Sequence, residues 1–366
     1  MAKQTWPPSG RIPYLDGLRA YSIAAVVIGH SDHAQPWLNS PVGSALRVVF
    51  ANGTLGVRVF FVLSGFLITT LLLNELETTG AISIRGFYER RIARIFPAFY
   101  FYFLVVVALT LLHLATVTWP VFATAGTYLW NYGVFWKLDS TEGAQFFAHM
   151  WTLSLEEQFY LVWPACLIFL GPRRAERLAI ASVIVLPFVR VISYFLFPST
   201  RGQLGMMFHT GADQILWGTL AAFACRRGAI DWAGKVKYRA AIPWLCAFVV
   251  FVACPLLTWA VRGLLLCAVP SLEGASIVLL IFWLLSGDSG WFRKGLETWP
   301  MVQLGLLSYS LYLWQQMFIF WDRLNFIWLP LRVLAALTVA VISYRLVEIP
   351  CRKLIRQWTS QPQPAH

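Results

Sequence analysis

The sequence predicts an all-α protein that crosses a membrane about ten times. Of its 366 residues, 58% are hydrophobic and only 13% are charged, about half the charged share of a soluble domain. The mean hydropathy is +0.63. The stretches 95–136, 240–261 and 298–321 contain no charged residue, and each exceeds the ~18 residues that a membrane span needs. This composition argues against a soluble enzyme, a disordered chain and a nucleic-acid-binding domain.

Hydropathy and helix-breaking residues divide the chain into ten candidate spans of about 20 residues, which suits the hydrocarbon core of a bilayer. In order they are 14–34, 54–75, 96–117, 150–170, 178–197, 210–225, 239–259, 264–286, 301–321 and 328–349. The first span contains Asp16 and Arg19 and lacks a small-residue cleavage site, so we interpret it as a retained span and not as a signal peptide. The loops leave no room for an appended soluble domain. We therefore predict a single membrane domain over residues 1–366, with its core at 14–350.

Residues 118–136 are apolar and aromatic and could form an eleventh span. A full span there would move Arg173, Arg174 and Arg177 to the outer side of the membrane. We therefore predict a re-entrant segment on that side. Membranes tolerate such backbone only where it is buried in protein or lines a cavity.

The distribution of Lys and Arg predicts the orientation. With the N-terminus inside, the inside segments contain 19 of these residues and the outside segments contain 5. Positive residues collect in the cytoplasmic loops of multispanning proteins, so we predict that both termini are cytoplasmic. The same preference explains the net charge of +12 without a nucleic-acid partner.

The six cysteines show no Cys-x-x-Cys pair and mostly lie in apolar stretches. We interpret them as small apolar side chains of the bundle. The sequence therefore predicts neither a disulfide framework nor a metal site.

Ionisable residues inside spans are costly and are functional candidates by default. The first span contains Arg19 and His30, eleven residues apart, which corresponds to about three turns and ~16 Å of rise along one face. We expect Arg19 near the cytoplasmic mouth and His30 near mid-membrane. There a guanidinium can hold an anion, and an imidazole can accept a proton near neutral pH. Alternatively, Arg19 reaches the interface and His30 is hydrogen-bonded within the bundle.

Arg91 and Arg94 are three residues apart just before the third span, so they share a helix face. Such a guanidinium pair suits bidentate phosphate binding. The alternative is ordinary anchoring by positive charges on the cytoplasmic side.

Glu156 and Glu157 form an unusual acidic entry into the fourth span. They could stabilise a protonated histidine or bind sugar hydroxyls. Alternatively, Ser154 caps the helix and the two carboxylates favour its N-terminal dipole. Further charges within spans are expected to pair with one another: Arg58, Arg190, Asp213, Glu273, Arg332 and Arg345.

Six motifs follow one another along the chain. They are Asp16-Gly17-Leu18-Arg19 with an Arg-x10-His spacing to His30, Phe60-Phe61-Val62-Leu63-Ser64-Gly65-Phe66, Arg91-x-x-Arg94, Trp151 to Tyr160, Ser308-Tyr309-Ser310-Leu311-Tyr312-Leu313-Trp314, and Glu348-Ile349-Pro350. Each alone is a weak signal, but the ordered set, which covers residues 14–350, resembles the integral-membrane acyltransferase family 3. Members of that family O-acetylate lipopolysaccharide, exopolysaccharides, peptidoglycan and smaller acceptors.

The resemblance implies an acyl-CoA-dependent O-acyltransferase of the bacterial inner membrane, with acetyl-CoA as the expected donor and no metal. Arg91 and Arg94, with Arg19 nearby, would hold the coenzyme phosphates, and the pantetheine arm would run towards His30. His30 would be the general base on a hydroxyl of a surface or exported glycan. Glu156 or Glu157 would support the charged histidine or position the acceptor. The resemblance also assigns three polar residues to contacts with the substrate: Asp16, Ser64 and Ser308. Alternatively, the two serines only pack neighbouring helices.

The chain departs from the family pattern at two positions. Thr152 stands where the family usually has Ser, and Gln315 stands where a His often follows Tyr-Leu-Trp. Any role of that second histidine is therefore absent here. The esterase-like soluble domain of many members is also not expected.

Two other functions are consistent with the same sequence features. Ten spans with buried charges also suit a transporter or exporter of a glycan intermediate, although the sequence shows no internal repeat. An assembly subunit would need the buried charges to be merely structural. The acceptor should be selected by the outer loops 35–53 and 118–149, whereas the acyl chain, an acyl-histidine intermediate and a homo-oligomeric state are not determined by the sequence.

Overall fold

The computed structural model describes residues 11–31, 49, 51–261, 263–287 and 290–359, and the regular elements within these ranges are all helical. The α-helices are α1 (Pro13–Ser31), α2 (Gly53–Thr79), α3 (Ile84–Leu111), α4 (Trp119–Gly126), α5 (Met150–Leu196), α6 (Phe208–Gly211), α7 (Asp213–Arg226), α8 (Ala229–Lys235), α9 (Ile242–Phe248), α10 (Cys254–Ala260), α11 (Leu264–Leu285), α12 (Trp291–Leu296), α13 (Trp299–Phe320), α14 (Leu329–Ser343) and α15 (Ile349–Thr359). Two π-helical turns, Val249–Ala253 and Tyr344–Glu348, join α9 to α10 and α14 to α15. The all-α prediction is confirmed.

Within the described ranges, six helical stretches are long and apolar enough to cross a membrane. They are Gly53–Thr79, Ile84–Leu111, Met150–Leu196, Arg239–Ala260, Leu266–Leu285 and Leu329–Leu354. The chain is therefore a multi-pass membrane protein. The total of ten spans and the cytoplasmic position of both termini stay predictions.

The helical stretch α5 contains two of the predicted spans. The sequence predicts helices at 150–170 and 178–197, and the stretch Met150–Leu196 consists of two helices that meet at a kink at Gly171, where φ is 72° and ψ is 163°. Glycine adopts this positive φ without the penalty of a Cβ, and Pro172 follows it. The interruption therefore lies where the sequence predicts it, but Gly171 alone takes the place of the expected loop at 171–177.

The apolar segment 118–136 does not form a long helix. It contains α4, of eight residues, which rises only ~12 Å, and a 3-10 helix at Trp130–Trp136. Eight residues cannot cross a bilayer, so an eleventh spanning helix is absent from this described segment. The re-entrant placement stays a prediction.

The chain divides into two compact units. The first contains residues 1–80 and 151–306, and the second contains residues 81–150 and 307–366. In the first unit, α2 packs closely against α7: Gly65 lies against the carbonyl of Ile215, and Gly218 lies against the carbonyl of Val62, so that a Cβ at either glycine would overlap that carbonyl. Small residues permit such close packing of membrane helices. The contact fixes the position of Ser64, the neighbour of Gly65.

In the second unit, α3 packs against α15 and against the π-helical turn before it. The buried side chain of Tyr102 on α3 donates a hydrogen bond to the carbonyl of Phe146 at 2.6 Å. Tyr309 of α13 donates to the carbonyl of Ile95 at 2.9 Å. The bond to Ile95 holds the part of α3 next to Arg94 against α13. The bond from Tyr102 holds a later part of α3 against the segment before α5.

Candidate functional site

The start of α1 carries a cluster of charges around Asp16. Its carboxylate, only 6% exposed, accepts a hydrogen bond from Nε of Arg11 at 2.6 Å and lies 3.6 Å from Nη1 of Arg19. The side chain of Arg19 keeps 18% of its surface exposed. Asp16 therefore orients Arg19, and its predicted contact with substrate stays a prediction.

Close backbone packing explains why glycine follows Asp16 in α1. A Cβ on Gly17 would overlap the carbonyl of Leu296, and a Cβ on Gly305 would overlap the carbonyl of Asp16. The backbone of α1 thus touches α12 and α13 directly within the first unit. A larger residue at either glycine would push the Asp16 and Arg19 cluster out of place.

His30 lies in the last turn of α1 and is half-buried. Next to it, a Cβ on Gly29 would come within 2.6 Å of the carbonyl oxygen of Ala51. Asn52 caps α2 by accepting a hydrogen bond from the amide of Leu55 at 2.9 Å. His30 is therefore at the junction of α1 with the start of α2, near the end of its helix and not near the middle. Its depth in the membrane stays a prediction.

Glu156 is the best-defined carboxylate among the predicted site residues. The hydroxyl of Ser64 on α2 donates to its Oε1 at 2.7 Å, and the hydroxyl of Tyr160, one turn along α5, lies 3.4 Å from its Oε2. Two motifs that are 92 residues apart in the chain therefore meet at one carboxylate. The predicted residues Ser64 and Glu156 are in direct contact.

The alternative interpretation of the acidic pair, a capped helix start, is wrong. Helix α5 begins at Met150, so Ser154 is an interior residue and is fully buried. A side chain inside the second turn cannot act as the N-cap. Glu156 and Glu157 are both half-buried, and the role of Glu157 stays a prediction.

The other charges in the spans of the first unit pair as expected. Nη2 of Arg190 lies 2.6 Å from Oδ2 of Asp213, which is completely buried. Arg58 forms an ion pair with Glu273. Paired charges inside a bundle are a structural solution to the cost of burial.

In the second unit, Arg91 and Arg94 are half-buried on α3. The guanidinium of Arg91 lies 5.9 Å from the ring centroid of Phe87, one turn earlier. Helix α3, which carries Arg94, packs against the π-helical turn that ends at Glu348. The pair shares a face of α3, as the sequence predicts.

The motif around Ser308 makes its contacts through neighbouring residues. Ser308 is buried on α13, but Ser310 is the serine that hydrogen-bonds the carboxylate of Glu348. Nη2 of Arg352 donates to the other oxygen of Glu348 at 2.6 Å. Sequence reasoning missed this trio. The available signal was a carboxylate at the end of an apolar span, which requires a partner.

His149 is buried among aromatic rings in the second unit, with 3% of its surface exposed. Its ring lies edge-on to Tyr102 and Tyr312, at centroid distances of 5.7 and 5.4 Å. The hydroxyl of Tyr312 donates to the backbone carbonyl of His149 at 3.1 Å. Tyr102 and Tyr312 therefore hold in place the segment that leads into α5.

The two outer loops expected to select the acceptor, 35–53 and 118–149, are described to different extents. Residues 35–48 and 50 of the first loop lie outside the described residues. In the loop 118–149, Trp119 and Trp136 are exposed, whereas Tyr128 and Trp130 are buried. The exposed rings are available for stacking on sugars or for lying at the membrane interface.

The predicted site residues divide between the two units. The first unit contains Asp16, Arg19, His30, Ser64, Glu156 and Glu157, and the second contains Arg91, Arg94 and Ser308. Direct contacts join Asp16 to Arg19 and Ser64 to Glu156. The first unit thus offers a histidine and positioned carboxylates for proton transfer, and the second offers guanidiniums for an anion.

Comparison with known proteins identifies a family over nearly the whole chain. The model of a family described as an acyltransferase domain matches residues 12–345. The chain is 29% identical to the O-acetyltransferase OatA of Staphylococcus aureus (strain NCTC 8325 / PS 47) over 373 aligned residues, which cover 93% of this chain and 57% of OatA.

A second relative is YrhL of Bacillus subtilis (strain 168), which is named as a candidate peptidoglycan O-acetyltransferase. It is 27% identical over 381 residues, which cover 93% of this chain and 55% of YrhL. The chain therefore spans somewhat more than half the length of these curated relatives. No solved structure matches the chain.

Proposed function

We propose that this chain, which belongs to acyltransferase family 3, transfers an acetyl group from acetyl-CoA to a hydroxyl of a glycan of the bacterial cell envelope. The name of the relative YrhL makes the sugars of peptidoglycan the first acceptor to test. The proposed location is the inner membrane, with the acyl donor on the cytoplasmic side.

One observation carries the proposal: the carboxylate of Glu156 is held at 2.7 Å by the hydroxyl of Ser64. Hydroxyl donors fix the position of a carboxylate without neutralising its charge. A fixed negative charge can stabilise an imidazolium or orient an acceptor hydroxyl. The same unit of the chain contains His30, the predicted base.

In the proposed reaction, a nitrogen of His30 accepts the proton of the acceptor hydroxyl, and the oxygen attacks the thioester carbonyl carbon. The carbon–oxygen bond forms, the carbon–sulfur bond breaks, and the coenzyme thiolate takes up the proton. Arg91 and Arg94 bind the coenzyme phosphates through bidentate hydrogen bonds, with Arg19 as a further guanidinium. Glu156, with Glu157 beside it, stabilises the protonated imidazole or positions the acceptor.

The test uses the purified full chain in lipid nanodiscs, with acetyl-CoA and a soluble peptidoglycan fragment. Release of coenzyme thiol is followed with a chromogenic disulfide, and the acceptor is analysed by mass spectrometry. We expect thiol release that requires the acceptor and yields one added acetyl group per thiol. Hydrolysis without acceptor serves as the baseline.

Other functions give different results in this assay. A transporter of glycan intermediates would move the acceptor across the bilayer without releasing thiol. An assembly subunit would release no thiol and would lose a partner when its buried charges are changed. Thiol release without acetylation of any tested glycan would support acetyl-CoA as the donor, but it would show that the acceptor is a different molecule.

A further inference from the structure

The second unit contains a buried carboxylate that the proposed reaction does not use. Glu348 is only 1% exposed and is the last residue of the π-helical turn Tyr344–Glu348. π-helical turns often mark functional sites in helices. Ser310 of α13 donates a hydrogen bond to this carboxylate, so its position is fixed from a neighbouring helix.

Arg352 is the direct charged partner of Glu348. The two residues are one turn apart, and Nη2 of Arg352 lies 2.6 Å from Oε2 of Glu348. The guanidinium also lies 5.8 Å from the ring centroid of Tyr344. Even so, 32% of the side chain is exposed. Arg352 is therefore both oriented and accessible.

The cluster around Glu348 has an excess of positive charge. Helix α3, which carries Arg94, packs against α15 and against the π-helical turn that ends at Glu348. Arg91 shares the face of Arg94 on α3. One buried carboxylate and three guanidiniums thus lie on packed helices of the same unit, an arrangement that favours a ligand with several negative charges.

We propose that Arg352 is an additional phosphate-binding arginine of the acyl-CoA site and that Glu348 is its positioning residue. This inference rests on the proposed function, which assigns Arg91 and Arg94 to the coenzyme phosphates. Coenzyme A carries a pyrophosphate and a further phosphate on its ribose. Two guanidiniums match the pyrophosphate, and the third provides a partner for the remaining phosphate group.

The experiment measures acetyl-CoA binding to the full chain in nanodiscs of phosphatidylcholine by isothermal titration calorimetry. Arg352→Gln is compared with Lys353→Gln, which removes the same charge from the next, exposed residue. We expect Arg352→Gln to raise the Kd by tenfold or more and Lys353→Gln to leave it within twofold. Equal effects of the two variants would refute a specific role of Arg352.

A double variant separates phosphate binding from simple neutralisation of Glu348. Losing Arg352 alone leaves a buried carboxylate with less compensation, which can destabilise the protein. Glu348→Gln with Arg352→Gln removes both charges and keeps the hydrogen-bonding shape at position 348. Weak acetyl-CoA binding should persist in this variant. Recovery of wild-type affinity would show that Arg352 only neutralises Glu348, and would overturn the inference.

Arg352 could instead bind the phosphate of a lipid headgroup, and a second arm of the experiment tests this. Binding of phosphatidylglycerol to Arg352→Gln and to wild type is compared by native mass spectrometry. A loss of lipid binding with unchanged acetyl-CoA affinity would assign Arg352 to the lipid. Failure of the proposed function has a different signature, because the wild-type chain would then bind no acetyl-CoA at all.

Discussion

Replacing Ser64 with alanine tests the contact on which the proposed function depends. The substitution removes a hydroxyl that donates to Glu156 at 2.7 Å and leaves the backbone of α2 unchanged. Hydrogen bonds to a charged group contribute about 1.5–3 kcal/mol, and 1.36 kcal/mol corresponds to a factor of ten in rate. We therefore expect kcat/KM for the acceptor to fall by about tenfold to a hundredfold. The KM for acetyl-CoA should stay constant, because the phosphate-binding role is assigned to arginines elsewhere in the chain.

The control for this variant is Thr69→Val on the same helix. Thr69 is fully buried and donates to the hydroxyl of Thr219 at 3.2 Å, so this change removes a comparable hydrogen bond away from Glu156. Both variants are assayed for acceptor-dependent thiol release after normalisation to folded protein by size-exclusion chromatography. A Ser64→Ala rate equal to that of Thr69→Val would show that the Ser64 contact with Glu156 has only a structural role.

Three further predictions concern the base, the coenzyme and the topology. His30→Ala should abolish thiol release while acetyl-CoA still binds, and retention of more than about a hundredth of the wild-type rate would place the base elsewhere. Arg91→Lys and Arg94→Lys should each insert normally but raise the KM for acetyl-CoA by about tenfold, because lysine keeps the charge and loses the planar guanidinium; an unchanged KM would return both arginines to an anchoring role. A single cysteine at Thr79, in a chain without its native cysteines, should react with an impermeant maleimide only from the cytoplasmic side, and labelling from outside would contradict the predicted orientation.

The sequence predicts helices well where an apolar run alone determines them. Gly53–Thr79 and Leu264–Leu285 lie within a few residues of the predicted spans, because their composition leaves few alternatives to a buried helix. The length of an interruption is harder to predict than its position. The break in α5 follows the predicted end of the fourth span at residue 170, but the positive φ of Gly171 confines it to one residue, which no count of apolar residues indicates.

Contacts between motifs are the part of the site that the sequence could not supply. The motifs identify Ser64 and Glu156 as candidates, but nothing in a single sequence indicates that residues 92 positions apart share a hydrogen bond. The same limit explains the choice of Ser308 over Ser310. Both serines occur in one motif, and only the direction in which each leaves α13 determines which one reaches Glu348.

The structure gives these motifs a common physical logic. Burying a carboxylate in an apolar bundle costs free energy unless other groups bind it. Three carboxylates of the motifs are bound by two kinds of partner. Asp16 and Glu348 are each bound by arginines, so each can orient a guanidinium that we propose binds an anion. Glu156 is contacted by the hydroxyls of Ser64 and Tyr160, and we propose that its negative charge serves a partner that becomes positive during the reaction. Substitutions should therefore separate by chemistry: losing the first kind of carboxylate should weaken donor binding, whereas losing the second kind should lower the rate of transfer.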